Sequence, residues 1–132
     1  MIVVMTSGVF DIWHRGHRLH LEAAAKIGDR LVVGVTRDRF VNKGPHRPTI
    51  PQGERLALIK LLRIVDHAFL CNDSLDALQM IDPDIFVKGK DYRGKIEKRH
   101  ADYCRNHGIK IRFTNTPLYS ATMIIRDRLR HG

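Results

Sequence analysis

Two histidines three residues apart, His14 and His17, close the run Gly8-Val9-Phe10-Asp11-Ile12-Trp13-His14-Arg15-Gly16-His17. Side chains three apart lie on one side of a helical turn. Gly16 stands where a helix is expected to begin, and the unpaired N–H groups of a helix start favour an anion. Two imidazoles beside that start make a pocket suited to a phosphate. Gly8 lets the backbone come close to a ligand. Two other readings stand beside this one. The histidines are then ordinary loop residues, or they hold a metal together with His20, which continues the same spacing. No acidic or cysteine ligand accompanies the three at a recognised metal spacing, so no metal ligand is assigned. The glycine loops typical of P-loop and dinucleotide-binding proteins are absent from the chain.

These residues need a scaffold, and the apolar pattern supplies one. Ile2–Thr6, Arg30–Thr36, Asp66–Leu70, Asp84–Lys88 and Ile109–Thr114 read as short buried strands. Helical segments separate them. The first runs from Gly16 to about Gly28, which can terminate it. The second follows Pro51 and has Leu56, Leu58, Ile59, Leu61 and Leu62 on its apolar side. A third, capped by Asp73 or Ser74, reaches Ile81. A basic helix spans Gly94–His107, and a last one starts at Ser120 or Thr122. Between the second strand and second helix lies the polar loop Asp38–Pro51, rich in proline. Alternating strands and helices predict an α/β fold: a doubly wound, five-stranded parallel sheet with helices on both faces. Ligands bind such sheets beyond the carboxyl ends of the strands, where strand order reverses.

Length and charge narrow the function. The 132 residues suit a single domain, 1–132, and 43% hydrophobic content supports a packed core. The formal net charge of +9 raises nucleic acid as a partner. The excess is local, however. Arg37–Arg47 holds four basic residues against one acid, Lys88–Arg112 holds nine against three, and the remainder balances. Both stretches begin at the predicted ligand edge. Within Arg93–Arg112 only Tyr103 interrupts the basic residues, too few aromatics for a stacking platform. A nucleic-acid module therefore stays the alternative from another class, and nucleic acid is not the expected partner. No apolar run is long enough to span a membrane, the amino terminus lacks a basic leader, and Cys71 and Cys104 read as reduced thiols. A cytoplasmic location is expected.

Gly8-Val9-Phe10-Asp11 followed by His14-Arg15-Gly16-His17 resembles the G-x-F-D-x-x-H-x-G-H signature of the cytidylyltransferase-like nucleotidyltransferases. Ser120-Ala121-Thr122-Met123-Ile124-Ile125 resembles their S-T-T-x-I-I entry to the last helix. Val87-Lys88-Gly89-Lys90-Asp91-Tyr92 and Arg47-Pro48-Thr49-Ile50-Pro51 are similar to V-K-G-G-D-Y and R-P-x-x-P in the adenylyltransferase domain of ADP-heptose synthase. Glycerol-3-phosphate cytidylyltransferase is similar in length and opening. Its R-T-E-G-I-S-T-T block is departed from here at Asn115, Leu118 and Ala121.

The resemblance implies a Rossmann-like fold of the H-x-G-H type. It also implies transfer of a nucleoside monophosphate from ATP or CTP to a phosphorylated sugar or polyol, with release of pyrophosphate. The leaning is toward the ADP-heptose-synthase-like adenylyl transfer, with CDP-glycerol synthesis as the alternative. His14 and His17 would be catalytic, donating hydrogen bonds to the triphosphate. Gly8, Val9, Phe10, Gly16, Asp91, Thr116, Tyr119, Ser120 and Thr122 would bind the nucleotide. Lys43, Arg47, Arg55 and Lys88 would hold phosphates of nucleotide or acceptor. Mg²⁺ is expected, carried mainly by the triphosphate, and a homodimer is expected from the family.

Overall fold

Strands that are covered on both faces carry near-continuous apolar runs, and the five runs found in the sequence pair side by side. In the computed structural model, which describes residues 1–117, β1 (Val3–Gly8), β2 (Arg30–Thr36), β3 (His67–Cys71), β4 (Ile85–Gly89) and β5 (Lys110–Thr114) form one sheet. All pairings are parallel and the order is β3-β2-β1-β4-β5. The helices are α1 (Arg15–Ala25), α2 (Gln52–Leu61), α3 (Ser74–Ile81) and α4 (Lys98–Asn106). Alternate strand residues serve opposite faces. Val4, Val33 and Val35 meet Leu21 of α1 and Ile59 of α2 in one core. Met5, Val32 and Phe86 meet Leu78 of α3 and Cys104 of α4 in the other. The fold is the Rossmann-like, doubly wound sheet that was expected.

The two ends of the sheet differ in charge. At the amino edge three aspartates accept backbone N–H groups: Asp29 from Ile2 at 2.7 Å, Asp84 from Val3 at 2.8 Å and Asp66 from Leu31 at 2.8 Å. At the carboxyl edge lie Lys43, Lys88 and the histidines of the first turn. An anion is thus drawn to the edge where strand order reverses, between β1 and β4.

Three boundaries depart from expectation. β1 continues through Ser7 and Gly8 because β2 extends alongside it to pair Gly34 and Val35. The basic helix is shorter at its start: Lys90–Tyr92 form a 3₁₀ turn, Gly94 has φ +76°, and α4 begins only at Lys98. Gly28 does not cap α1, whose C-cap is Lys26. It is needed for close packing, since a Cβ there would sit 2.6 Å from Val4 Cγ2 and 2.9 Å from the Ile2 carbonyl. Asp73, with Asp76 N–H as its donor, is the cap of α3. The helix expected after Ser120 lies outside the described residues. Among the described residues no helix is long and apolar enough to cross a membrane.

Candidate functional site

The first turn builds the site from its own backbone. His14 is the N-cap of α1, and its Nδ1 accepts the Gly16 N–H at 3.1 Å. His17 reaches back so that its Nδ1 accepts the His14 N–H at 3.4 Å. The two rings stack with centroids 3.8 Å apart. An imidazole whose Nδ1 accepts an N–H carries its own proton on Nε2. Both rings therefore present neutral N–H donors. Phe10 aids this with a left-handed backbone (φ +52°), sparsely populated for a non-glycine residue. Its buried ring packs edge-on to His17, and the Trp13 ring lies tilted beside His17 with centroids 5.4 Å apart.

Burial and nearby cations disfavour the charged form of these rings. Burial, and then the neighbouring His14 and Lys43, push His17 down from 6.5 to about 3. Burial, and then Lys88, push His20 down to about 4. Burial and Lys43 also lower His14. Imidazole NMR of the ligand-free protein is therefore expected to show His17 and His20 neutral from pH 8 down to pH 5. The linkage sign follows. Below the ordinary histidine value of 6.5 the unfolded chain takes up protons that the native rings refuse. Stability is full above that pH and declines as pH falls, by about 1.4 kcal/mol per unit for each ring that stays neutral. Denaturant midpoints measured between pH 7 and pH 5 check it.

Two adjoining clefts open at the carboxyl edge. The first, about 210 Å³, brings together Gly8, Val9, Phe10, His14, Gly16, His17, Lys43, Lys88, Asp91 and Thr116, all nominated from the sequence. Ser7, His20, Gly89, Tyr92 and Pro117 complete its wall. The second, about 450 Å³, shares Ser7, Gly8, Val9, Lys43, Lys88 and Tyr92 with the first. Its far side comes from Asn72–Ser74 after β3 and from Lys95–Glu97 and His100 around the start of α4. Lys43 and Lys88 thus stand on the partition between the clefts.

Lys88 is the one charged residue of the otherwise apolar β4 and is 9% exposed. Its Nζ donates to Ser7 O at 3.0 Å and Ser7 Oγ at 3.3 Å, and Ser7 Oγ lies 2.7 Å from Ser74 Oγ. No carboxylate pairs with it among the described residues. Burial pushes the ammonium down to about 8. Burial and Arg47 likewise lower Lys43.

Two nominated arginines are not brought to the clefts. Arg55 is buried, and four of its N–H groups are already used. Nε donates to Ile50 O at 2.9 Å, Nη1 to Val9 O and Thr36 O at 2.7 Å each, and Nη2 to Asp38 Oδ1 at 2.5 Å. It joins the exits of β1 and β2 to the start of α2, and its fully buried guanidinium lies on neither cleft's wall. Arg55→Met is expected to cost about 3–5 kcal/mol, because three carbonyls, of Ile50, Val9 and Thr36, lose a charged donor at once. Urea unfolding measures it. Arg47 donates to Asp11 Oδ2 at 2.7 Å. Buried Asp11 also accepts the Thr49 and Ile50 N–H groups at 2.8–2.9 Å. Burial alone would raise the Asp11 carboxyl, but those amides and Arg47 hold it below the ordinary range. Arg47 thus anchors the loop that carries Lys43. Tyr119, Ser120 and Thr122 lie outside the described residues.

The sequence reading missed Ser7, His20, Ser74 and His100 as wall residues. His20 carried a signal, one turn beyond His17 on the same helix. Ser7, Ser74 and His100 carried none, because their meeting depends on how β1, α3 and α4 pack.

Comparison with known proteins gives a concordant result. A family model described as cytidylyltransferase-like matches residues 5–127. "Bifunctional protein HldE" of Campylobacter fetus subsp. fetus is 43% identical over 97 residues, covering 70% of this chain but 21% of that protein. The chain thus spans about a fifth of that relative's length. "FAD synthase" of Aciduliprofundum boonei is 39% identical over 121 residues, covering 90% of this chain and 80% of its own length. The solved "lipopolysaccharide core biosynthesis protein" of Thermoplasma volcanium has a TM-score of 0.73 at 35% identity, covering 91% of this chain and 99% of that one.

Proposed function

Because the chain belongs to the cytidylyltransferase-like family, whose members are nucleotidyltransferases, we propose that it transfers an adenylyl group from ATP to a phosphorylated sugar or polyol. The observation that carries this reading is the pair of neutral Nε2–H donors on His14 and His17 at the start of α1. An oxygen of the acceptor phosphate attacks the α-phosphorus of ATP, and a new P–O–P bond forms. The bond from the α-phosphorus to the bridging oxygen breaks, and pyrophosphate leaves with the electron pair. The acceptor is already an anion, so no strong base is needed. The protein's part is positioning and stabilising charge as it develops.

In this reading the first cleft takes the nucleotide. His14 and His17 donate to the triphosphate, Val9 and Phe10 offer backbone to the nucleoside, and Thr116 and Asp91 close the wall. The second cleft takes the acceptor, with its phosphate toward Lys88 and Lys43 and its hydroxyl groups toward the polar far wall. Mg²⁺ bound to the triphosphate would neutralise its charge. The donor set fits a metal carried by the substrate, because His14 and His17 each have Nδ1 engaged and the proton on Nε2, and Asp91 is the carboxylate on the first cleft's wall. ATP is preferred over CTP because of the departures at Asn115, Leu118 and Ala121 from the cytidylyltransferase block, and because the HldE and FAD synthase relatives match 70% and 90% of this chain.

A second acceptor is favoured by a specific observation. The FAD synthase relative matches over most of both chains, and Phe40 and Tyr92, each 43% exposed, line the second cleft. A phosphorylated flavin would stack on such rings. Pyrophosphate release with ATP or CTP, against heptose 1-phosphate, glycerol 3-phosphate and FMN, tests the assignment. Turnover with ATP and a sugar phosphate is expected, turnover with FMN alone would shift the acceptor, and no turnover with any pair would remove the reading.

A further inference from the structure

The sheet is split at its ligand edge. β1 pairs with β2 along its whole length, to Gly8↔Val35, and β4 pairs with β5 to Gly89↔Thr114. Between β1 and β4 only Val4↔Ile85 and Met5↔Phe86 are in register. Beyond Met5 the half-sheet β3-β2-β1 therefore parts from the half-sheet β4-β5. Side chains span the gap. On the α3/α4 face Lys88 reaches Ser7. On the opposite face His20 of α1 takes both sides at once: Nε2 lies 3.1 Å from Thr6 Oγ1 on β1, and Nδ1 lies 2.7 Å from Thr114 Oγ1 on β5. Both threonines are buried, at 0% and 4% exposure. A neutral imidazole has one donor and one acceptor, and two hydroxyls satisfy both.

This bridge sits at a mechanically important place. Thr114 is the last residue of β5, and Thr116 and Pro117, which follow shortly after it, line the first cleft together with His14 and His17. Thr6 belongs to the strand that leads directly into the histidine turn. The same ring thus ties the two walls between which the first cleft opens. Apolar packing is non-directional and would leave the spacing of the walls loose. Hydrogen bonds fix it in distance and direction.

We propose that His20 is a positioning residue of the nucleotide site, clamping β1 to β5 across the split and so fixing the width of the first cleft. The proposal rests on the reading of that cleft as the nucleotide site. His20→Leu keeps the bulk and removes both hydrogen bonds, Thr114→Val removes one at constant shape, and Thr114→Ser keeps the hydroxyl. Titration calorimetry with ATP in the presence of Mg²⁺ is expected to show the dissociation constant raised about tenfold in His20→Leu and in Thr114→Val, one bridge of ~1.4 kcal/mol in each. The double variant is expected to be no weaker than either single one, because both break the same clamp. Thr114→Ser is expected to bind as the parent does. Parent-like ATP affinity in Thr114→Val and His20→Leu, or a loss confined to thermal stability, would overturn the clamp while leaving the nucleotide site in place. A parent protein that binds neither ATP nor CTP would overturn the nucleotide reading itself, and the clamp's role with it.

Discussion

His17→Ala is expected to lower kcat by about 10²–10³-fold, the range seen when one preorganised donor to a developing charge is removed. The reason lies in the tautomer. Nδ1 of His17 is held by the His14 N–H, so the proton stays on Nε2 without any need for the ring to charge. His14→Ala has a mixed effect, because His14 is also the N-cap of α1. Losing a cap costs about 1 kcal/mol of stability. His14→Asn separates the two roles. Asparagine is a good N-cap and keeps an acceptor for the Gly16 N–H, but it cannot reach as the imidazole Nε2 does. Folding stability near that of the parent with turnover still reduced about 10²-fold is the expected result. Steady-state kinetics beside urea unfolding measures both. Full turnover in both His14→Asn and His17→Ala would remove these residues from the mechanism.

The second large effect concerns Lys88. Its ammonium is buried and hydrogen-bonded to two neutral oxygens of Ser7, without a carboxylate partner among the described residues. A buried charge so placed is costly to the native state. A phosphate entering the second cleft would supply the missing counter-charge. Lys88→Met is thus expected to leave the protein folded and to raise the acceptor KM by about 10- to 100-fold, corresponding to ~1.5–3 kcal/mol for a charge-assisted hydrogen bond. The ATP KM should move far less. The pH dependence has opposite signs for binding and stability. The native ammonium titrates near pH 8, below the lysine's ordinary 10.5. Above pH 8 acceptor affinity should fall as the charge is lost. Over the same window, up to 10.5, the unfolded chain holds a proton that the native chain has released, so Lys88 adds stability as pH rises. Acceptor KM and denaturant midpoints from pH 7 to pH 10 test both signs, with Lys88→Met removing both trends.

The histidine turn of the first cleft was legible because its residues follow one another closely in the chain. Spacing alone puts His14 and His17 on one side of a helix start, and the run Ile85-Phe86-Val87 makes the lysine that ends it conspicuous. The arginines were harder. A guanidinium at the start of a helix can face a ligand or turn inward, and composition does not distinguish the two. In hindsight Arg55 stands four residues before Ile59, the other buried residue of α2, so the two share the inward face. Arg47 depended on Asp11, 36 residues away, whose carboxylate gathers the loop. Thr6, His20 and Thr114 depended on a separation of up to 94 residues. Contacts of that kind are set by strand order, and the basic residues near Gly94 similarly could not show that a left-handed turn would delay the helix to Lys98.

The two clefts draw their outer walls from different parts of the chain. The histidine turn and the exit of β5 line the first, whereas the turn after β3 and the approach to α4 supply the far side of the second, with Lys43 and Lys88 common to both. Substitutions at Asn72 or at Lys95–Glu97 would therefore reshape one chamber without disturbing the other. Preference for one partner molecule and preference for the other become separately heritable traits, free to drift apart while the shared lysines keep the chemistry in common.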